Sequence, residues 1–288
     1  MRDQSRRPAR RRRLGSELRA LREAASVSLE EAGRALHGDK TKISRQETGQ
    51  QRVSRLELEV LLGLYQAANE KVRERLIALS AEESRHGWWR RHGEMLHDGF
   101  KELLSLEADA VRISAFQTQV VPGLLQTQEY ATAVISGCSD PLAKEELDTY
   151  VDFRMSRQSI FLRENPPEYR AVIMEGAIRQ QIGGAEVLAD QLRHLVALSQ
   201  SPALTIQVVP LSRSVFIDTG GSFVIYSYPD LMDLDVVQVE HLDSVFYLED
   251  DKTVSKYQRV IDGLRGSALP PDRSIQFISS IARDLEGE

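Results

Sequence analysis

Three helix starts fall within residues 28–57, and no long helix or strand fits around them. Ser28-Leu29-Glu30-Glu31 is a capping box, in which the serine hydroxyl takes the amide three residues on and the glutamate reaches back to the serine amide. Ser54-Arg55-Leu56-Glu57 repeats it. Between the two, His37-Gly38 breaks the first helix near Leu36. Asp39 suits the N-cap of a helix running from Lys40 to about Glu47, and Gly49 ends that helix. Upstream, Leu14, Leu18, Leu21 and Ala25 make one apolar helical face, with Arg19, Arg22 and Glu23 opposite. Downstream, Leu58, Leu61, Leu62 and Tyr65 form the buried side of a fourth helix, and Asn69 caps a fifth that reaches Leu79 or beyond. Helices this short are marginal alone, so they must share one core. The expectation is a compact helical bundle over residues 14–82.

Charge divides the chain at the same place. Residues 1–55 hold 15 Lys and Arg against 7 Asp and Glu, whereas the rest hold 22 against 36, for a whole-chain charge of −6. A basic head on an acidic body fits a polyanion-binding module joined to an unrelated domain. Seven arginines lie within residues 1–13, with Asp3 and Pro8. That segment reads as a disordered basic arm, able to follow phosphates or enter a minor groove, or simply to solubilise.

The string Ser28-Leu29-Glu30-Glu31-Ala32-Gly33-Arg34-Ala35-Leu36, followed by Lys42-Ile43-Ser44-Arg45-Gln46-Glu47-Thr48-Gly49, resembles the XRE (phage-repressor-like) helix-turn-helix family. Gly33 and Ile43 stand where that family places the small and apolar residues that let two helices cross closely. The chain departs from the family at His37-Gly38, where Gly and then an apolar residue are usual, at Gln46, where Ile or Leu is common, and at Val53, a frequent Pro. The resemblance implies a recognition helix whose N-terminal side chains meet base edges in the major groove of double-stranded DNA. By position these are Lys40, Thr41, Lys42 and Ser44, with Ser28, Arg45, Gln50, Gln51 and Arg52 placed for phosphates. It also implies a homodimer on an inverted repeat.

Residues 83–100 read as a hinge. They contain Arg85-His86-Gly87-Trp88-Trp89-Arg90-Arg91-His92, with both tryptophans of the chain adjacent. Residues 101–288 mix strands and helices. Strands are expected near 111–116, 169–174, 204–209, 222–228, 236–240 and 245–248. Helices are expected from Thr127 to about Ile135, over 145–163 and 185–199, and near 252–267 and 271–285. The whole is a mainly α helix-turn-helix bundle followed by a larger α+β regulatory or partner-binding domain. GWWRRHG, VPGLLQTQEYA, EVLADQLRHLVAL, LTIQVVP and VFYLEDD, in that order, resemble the C-terminal domain of the WhiJ-like regulators of actinobacteria. That likeness implies an antitoxin-like regulator paired with a small acidic protein encoded nearby. A small-molecule sensor is the alternative for this domain.

An enzyme is not expected. No His-Glu-x-x-His, phosphate-binding glycine loop or Gly-x-Ser-x-Gly occurs. His86, His92 and His97 do not share a helix face, and Cys138, the single cysteine, has no evident base partner. No metal or cofactor is expected. No apolar run approaches the roughly 18 residues of a membrane span, and a lone cysteine excludes a disulfide framework. The expected setting is the cytoplasm, associated with the nucleoid and away from membrane.

Overall fold

Ser28, Asp39 and Ser54 each cap a helix. The computed structural model describes residues 9–67, 69–81, 98–137, 142–213, 220–229, 235–241 and 244–287. They form two units, Met1–Ser105 and Leu106–Glu288. The tryptophan pair, His86, His92, His97 and Cys138 lie outside the described residues.

The first unit contains α1 (Ala9–Ala24), α2 (Leu29–Ala35), α3 (Lys40–Glu47), α4 (Arg55–Leu64) and α5 (Glu70–Ala81). Both capping boxes close in both directions, and the Asp39 carboxylate accepts the Lys42 amide at 2.9 Å. α1 starts earlier than its apolar periodicity, so residues 9–13, expected in the disordered arm, are helical. Alanine and arginine favour helix even where no apolar stripe marks them. The core joins Leu14, Leu18, Ala32, Ile43, Leu58, Leu61, Leu62, Tyr65 and Leu76.

Four of these helices end alike. One residue turns left-handed, and the next amide reaches the carbonyl five residues back: Val27 to Arg22, Gly38 to Gly33, Gln50 to Arg45 and Ala67 to Leu62, at 2.7–3.1 Å. The left-handed residues are Ser26, His37, Gly49 and Gln66, with φ of 56°, 51°, 70° and 51°. Gly49 alone has no Cβ to strain there. The packed core holds the other three in place.

The division between units falls within α6 (Asp98–Asp109), a helix the apolar pattern does not announce. The second unit is a six-stranded mixed sheet in the order β3-β2-β1-β4-β5-β6. Its strands are β1 (Arg112–Gln117), β2 (Glu168–Met174), β3 (Leu204–Val209), β4 (Phe223–Ser227), β5 (Val236–Glu240) and β6 (Val245–Leu248). β1, β2 and β3 run parallel; β4 is antiparallel to β1, and β5 and β6 continue antiparallel. α7 (Gln128–Ser136) and α8 (Lys144–Arg157) carry the chain from β1 to β2, and α9 (Glu175–Arg179) and α10 (Ala185–Leu198) from β2 to β3. Such helical crossovers are what a parallel pair requires.

α11 (Asp251–Ser267) lies over one sheet face, its Val254, Ile261 and Leu264 packed with Phe116, Val172, Phe223, Ile225 and Val237. α12 (Pro271–Glu286) packs on α10 and on β3. It also blunts that edge of the sheet: Ser274 Oγ accepts the Val208 amide at 3.0 Å, and the Leu269 amide donates to the Val208 carbonyl at 2.8 Å.

The loop of the VPGLLQTQEYA string is held by buried amides. Gln126 Nε2 donates to the Val121 carbonyl, and Gln191 joins the Leu125 carbonyl to the Thr127 amide. Buried backbone needs such partners, which accounts for two fully enclosed glutamines. Nearby, Arg157 Nε donates to Glu107 Oε2 at 3.0 Å, tying α8 to α6.

Candidate nucleic-acid interface

α3 is short, and what matters is how it is held. Its side chains divide by helical position. Ile43, Gln46 and Glu47 are buried, whereas Lys40, Thr41, Ser44, Arg45 and Thr48 are exposed along one arc. Two glycines and two carboxylates fix the buried side.

Gly33 of α2 sits against the start of α3. A Cβ there would lie 2.7 Å from the Asp39 carbonyl carbon and 2.8 Å from its oxygen. The expectation that Gly33 lets the two helices cross closely is met. Gly15 of α1 does the same at the other end: its Cβ would lie 2.5 Å from the carbonyl oxygens of both Gln46 and Glu47. Sequence reasoning passed over Gly15. The available signal was a glycine inside a helical apolar pattern, which often marks close backbone approach.

The carboxylates are Glu47 and Glu57. Arg22 Nε and Nη2 donate to the two oxygens of Glu47 at 2.5 and 3.0 Å, and Nη1 reaches the Val27 carbonyl at 3.0 Å. The apolar periodicity of α1 puts Arg22 on its polar face, yet this fork buries it against α3. The hydrogen bond to Glu47 raises its pKa further. Tyr65 packs nearby, and burial, then the Glu47 charge, push its phenol up to about 12. Its hydroxyl is enclosed, with no hydrogen-bond partner among the described residues.

Glu57, the closing residue of the second capping box, accepts from the Ser54 amide and from Gln46 Nε2, and pairs with Lys42 Nζ at 2.7 Å. This explains Gln46 where the related family has an aliphatic residue: its amide donates to the same carboxylate. Burial pulls Glu57 up, but Lys42 and Ser54 together hold it below the usual carboxylate range.

The residues named from sequence therefore fall into groups. Lys40, Thr41 and Ser44 share the exposed arc with Arg45. Lys42 does not: its stem lies over Gly38, where a Cβ would meet Cδ at 2.9 Å, and its ammonium is on Glu57. Lys40 Nζ lies 3.2 Å from Glu30 in an exposed pair, which is weak and screened by salt. Arg52 and Gln50 are exposed and Gln51 half-exposed, just beyond the C-terminus of α3. The Ser28 hydroxyl is engaged by Glu31, whose carboxylate also takes the Ser28 amide at 2.8 Å. With Glu30 in the same first turn, the start of α2 carries its own negative charge.

The arrangement presents a rigid polar and basic face of hydroxyls, an ammonium and a guanidinium, suited to donating hydrogen bonds to an anionic, acceptor-rich partner. Among the described residues, no group of three His, Cys, Asp or Glu could hold a metal, and no helix is long and apolar enough to cross a membrane.

Residues 13–76 match the helix-turn-helix domain family, and residues 100–280 match a domain of unknown function, DUF5753. No curated protein and no solved structure matches the chain. Since the second match spans more than half the sequence, this chain belongs to the DUF5753 family, with a helix-turn-helix domain preceding the family's own domain.

Proposed function

We propose that the chain is a sequence-specific transcriptional regulator of the XRE type, with a WhiJ-like second unit, and that α3 enters the major groove of duplex DNA. The observation that carries this reading is the exposed arc of Lys40, Thr41, Ser44 and Arg45 on a helix clamped at both ends. A lysine can donate to guanine O6 or N7, and a threonine or serine to either base type. Arg45, Gln50, Gln51 and Arg52 follow the phosphates; the Ser28 hydroxyl joins them only by leaving the Glu31 carboxylate. Lys42 reaches a base only by leaving Glu57, so its first role is to set the angle of α3.

The protein works as a homodimer whose two heads lie about one helical turn, or roughly 34 Å, apart. Leu56 and Val60 support a contact between heads: they lie one turn apart on α4 and are 77% and 44% exposed. The second unit receives a protein partner and performs no catalysis. The setting is the cytoplasm, on the nucleoid.

Selection from random duplexes, followed by a salt titration on the winning site, tests the reading. The expected result is a palindromic site whose preference weakens in Lys40→Ala and Thr41→Ala. Equal affinity for all duplexes, unchanged in both variants, would overturn it.

A further inference from the structure

α3 carries three cations, and they are held differently. Lys40 Nζ lies 3.2 Å from Glu30 of α2, and Lys42 Nζ lies 2.7 Å from Glu57 of α4. Arg45, on the same arc as Lys40, forms no ion pair among the described residues. Each lysine is thus met by an acid from a neighbouring helix. The Glu30 pair is exposed, whereas the side chains of the Lys42–Glu57 pair are only 26% and 23% exposed.

Helix capping does not account for these pairs. Glu31, not Glu30, closes the capping box of α2. Glu57 divides its two oxygens: Oε2 accepts from the Ser54 amide, the Ser54 hydroxyl and Gln46, and Oε1 faces Lys42. Both acids are ionised at neutral pH. The Glu30 backbone amide and then Lys40 hold Glu30 below the usual carboxylate range; burial raises Glu57, but Lys42 and Ser54 hold it down.

Sequence-independent binding to duplex DNA is electrostatic, and it grows with each cation that neutralises a phosphate. A lysine that must abandon a carboxylate exchanges one anion for another and leaves the carboxylate unpaired beside the phosphates. A base edge offers directed hydrogen bonds that discriminate between sequences, which phosphate contacts do not. We propose that Glu30 and Glu57 are specificity-determining residues of the head, holding Lys40 and Lys42 back from phosphates so that they are released only where base edges outweigh the pairing. Arg45 supplies the attraction common to all sequences, and the two lysines engage after it. Discrimination then comes from weakening the wrong complexes more than the right one. The inference rests on the reading of α3 as the DNA-contacting helix.

The test follows the anisotropy of two fluorescein-labelled duplexes, the site won by selection and a scrambled version of it, as the full chain is added across a salt series. Glu30→Gln and Glu57→Gln each remove one charge; glutamine still serves a capping box, so α4 keeps its start. Affinity for the scrambled duplex should rise about two-fold in Glu30→Gln and about five-fold in Glu57→Gln, the range expected for one released ion pair. Its salt dependence should steepen by about one unit in each. Affinity for the selected site should rise less, so discrimination falls. Glu74→Gln, the same change of charge at an exposed position of α5, is the control for bulk charge. In a Lys42→Ala background, Glu57→Gln should do no more than this control. The proposal is overturned if both variants leave the scrambled duplex unaffected, if Glu74→Gln matches them, or if Glu57→Gln acts equally without Lys42. A chain that binds neither duplex rejects the DNA reading and this inference with it. A chain that binds duplexes and ignores the substitutions rejects the inference alone.

Discussion

Arg22 and Glu47 are joined across 25 residues by a two-pronged hydrogen bond whose side chains are only 11% and 6% exposed. The pair ties α1 to the last turn of α3, opposite the exposed arc. Removing one partner strands a buried charge, which costs about 3–5 kcal/mol, whereas replacing both by apolar groups is often neutral. Arg22→Met should therefore destabilise the head strongly in urea unfolding, and Arg22→Met with Glu47→Leu should recover most of the loss. If the double variant is no more stable than the single, the pair is not the source. Tyr65→Phe, which removes a hydroxyl unpartnered among the described residues, should cost little or stabilise.

Gly33→Ala and Gly15→Ala place a methyl group against backbone that cannot move without shifting α3. Each should lower stability by about 1–3 kcal/mol, as overpacking does. Gly33→Ala should also reduce duplex affinity, because the start of the reading helix is displaced. Gly63 is the control. No described residue lies within 4 Å of its added Cβ, so Gly63→Ala should stabilise by about 0.5–1 kcal/mol. Thermal melts of all three variants would expose a common response, and that outcome would contradict the contact argument.

His37 occupies a left-handed position that glycine fills without strain. His37→Gly should raise stability by several tenths to about 1 kcal/mol, the relief of the Cβ being partly offset by a more flexible unfolded chain. A lower melting temperature in this variant would mean that the imidazole makes contacts worth more than the strain.

On DNA, Lys40 and Lys42 should behave differently. Lys40→Ala removes an exposed donor and should cost about 1–3 kcal/mol at one base position if it meets a base edge. Lys42→Ala should act mainly through the loss of Glu57 pairing, lowering the melting temperature of the free protein and weakening all duplexes alike. Arg52→Ala should flatten the salt dependence by about one unit. Binding curves at three salt concentrations separate these patterns, and identical curves for the two lysine variants would reject the distinction.

Acid should loosen the head through its capping carboxylates. The Ser28 amide and then its hydroxyl hold Glu31 below the usual range. Glu57 is held there by Lys42 and Ser54 against the upward pull of burial. A depressed folded value means the stabilisation is complete above the unfolded value, near 4.5, and is lost as pH falls through the folded one. The melting temperature of the head should fall below about pH 5, and less steeply in Glu57→Gln. An unaltered slope in that variant would remove Glu57 from the explanation.

Helix starts were legible because capping is local: Ser28, Asp39 and Ser54 act on amides two or three residues away, and the chain encodes both ends of each contact within one turn. The exposed arc of α3 was legible for the same reason, as helical spacing with Ile43 inward. Six strands were also readable, but not their order or the parallel run of β1, β2 and β3, since a buried strand has the same apolar pattern in either direction.

Residues far apart in sequence escaped. Gly15 and Arg22 lie in a helix of ordinary polarity, and only the packing of α1 against α3 gives one a backbone carbonyl and the other a carboxylate. Lys42 looked like a free cation until α4 brought Glu57 to it. Short-range hydrogen bonds and periodicity determined which helices form. Contacts between those helices decided how α3 is aimed and which of its cations remain available, because burial and pairing are properties of the assembled core.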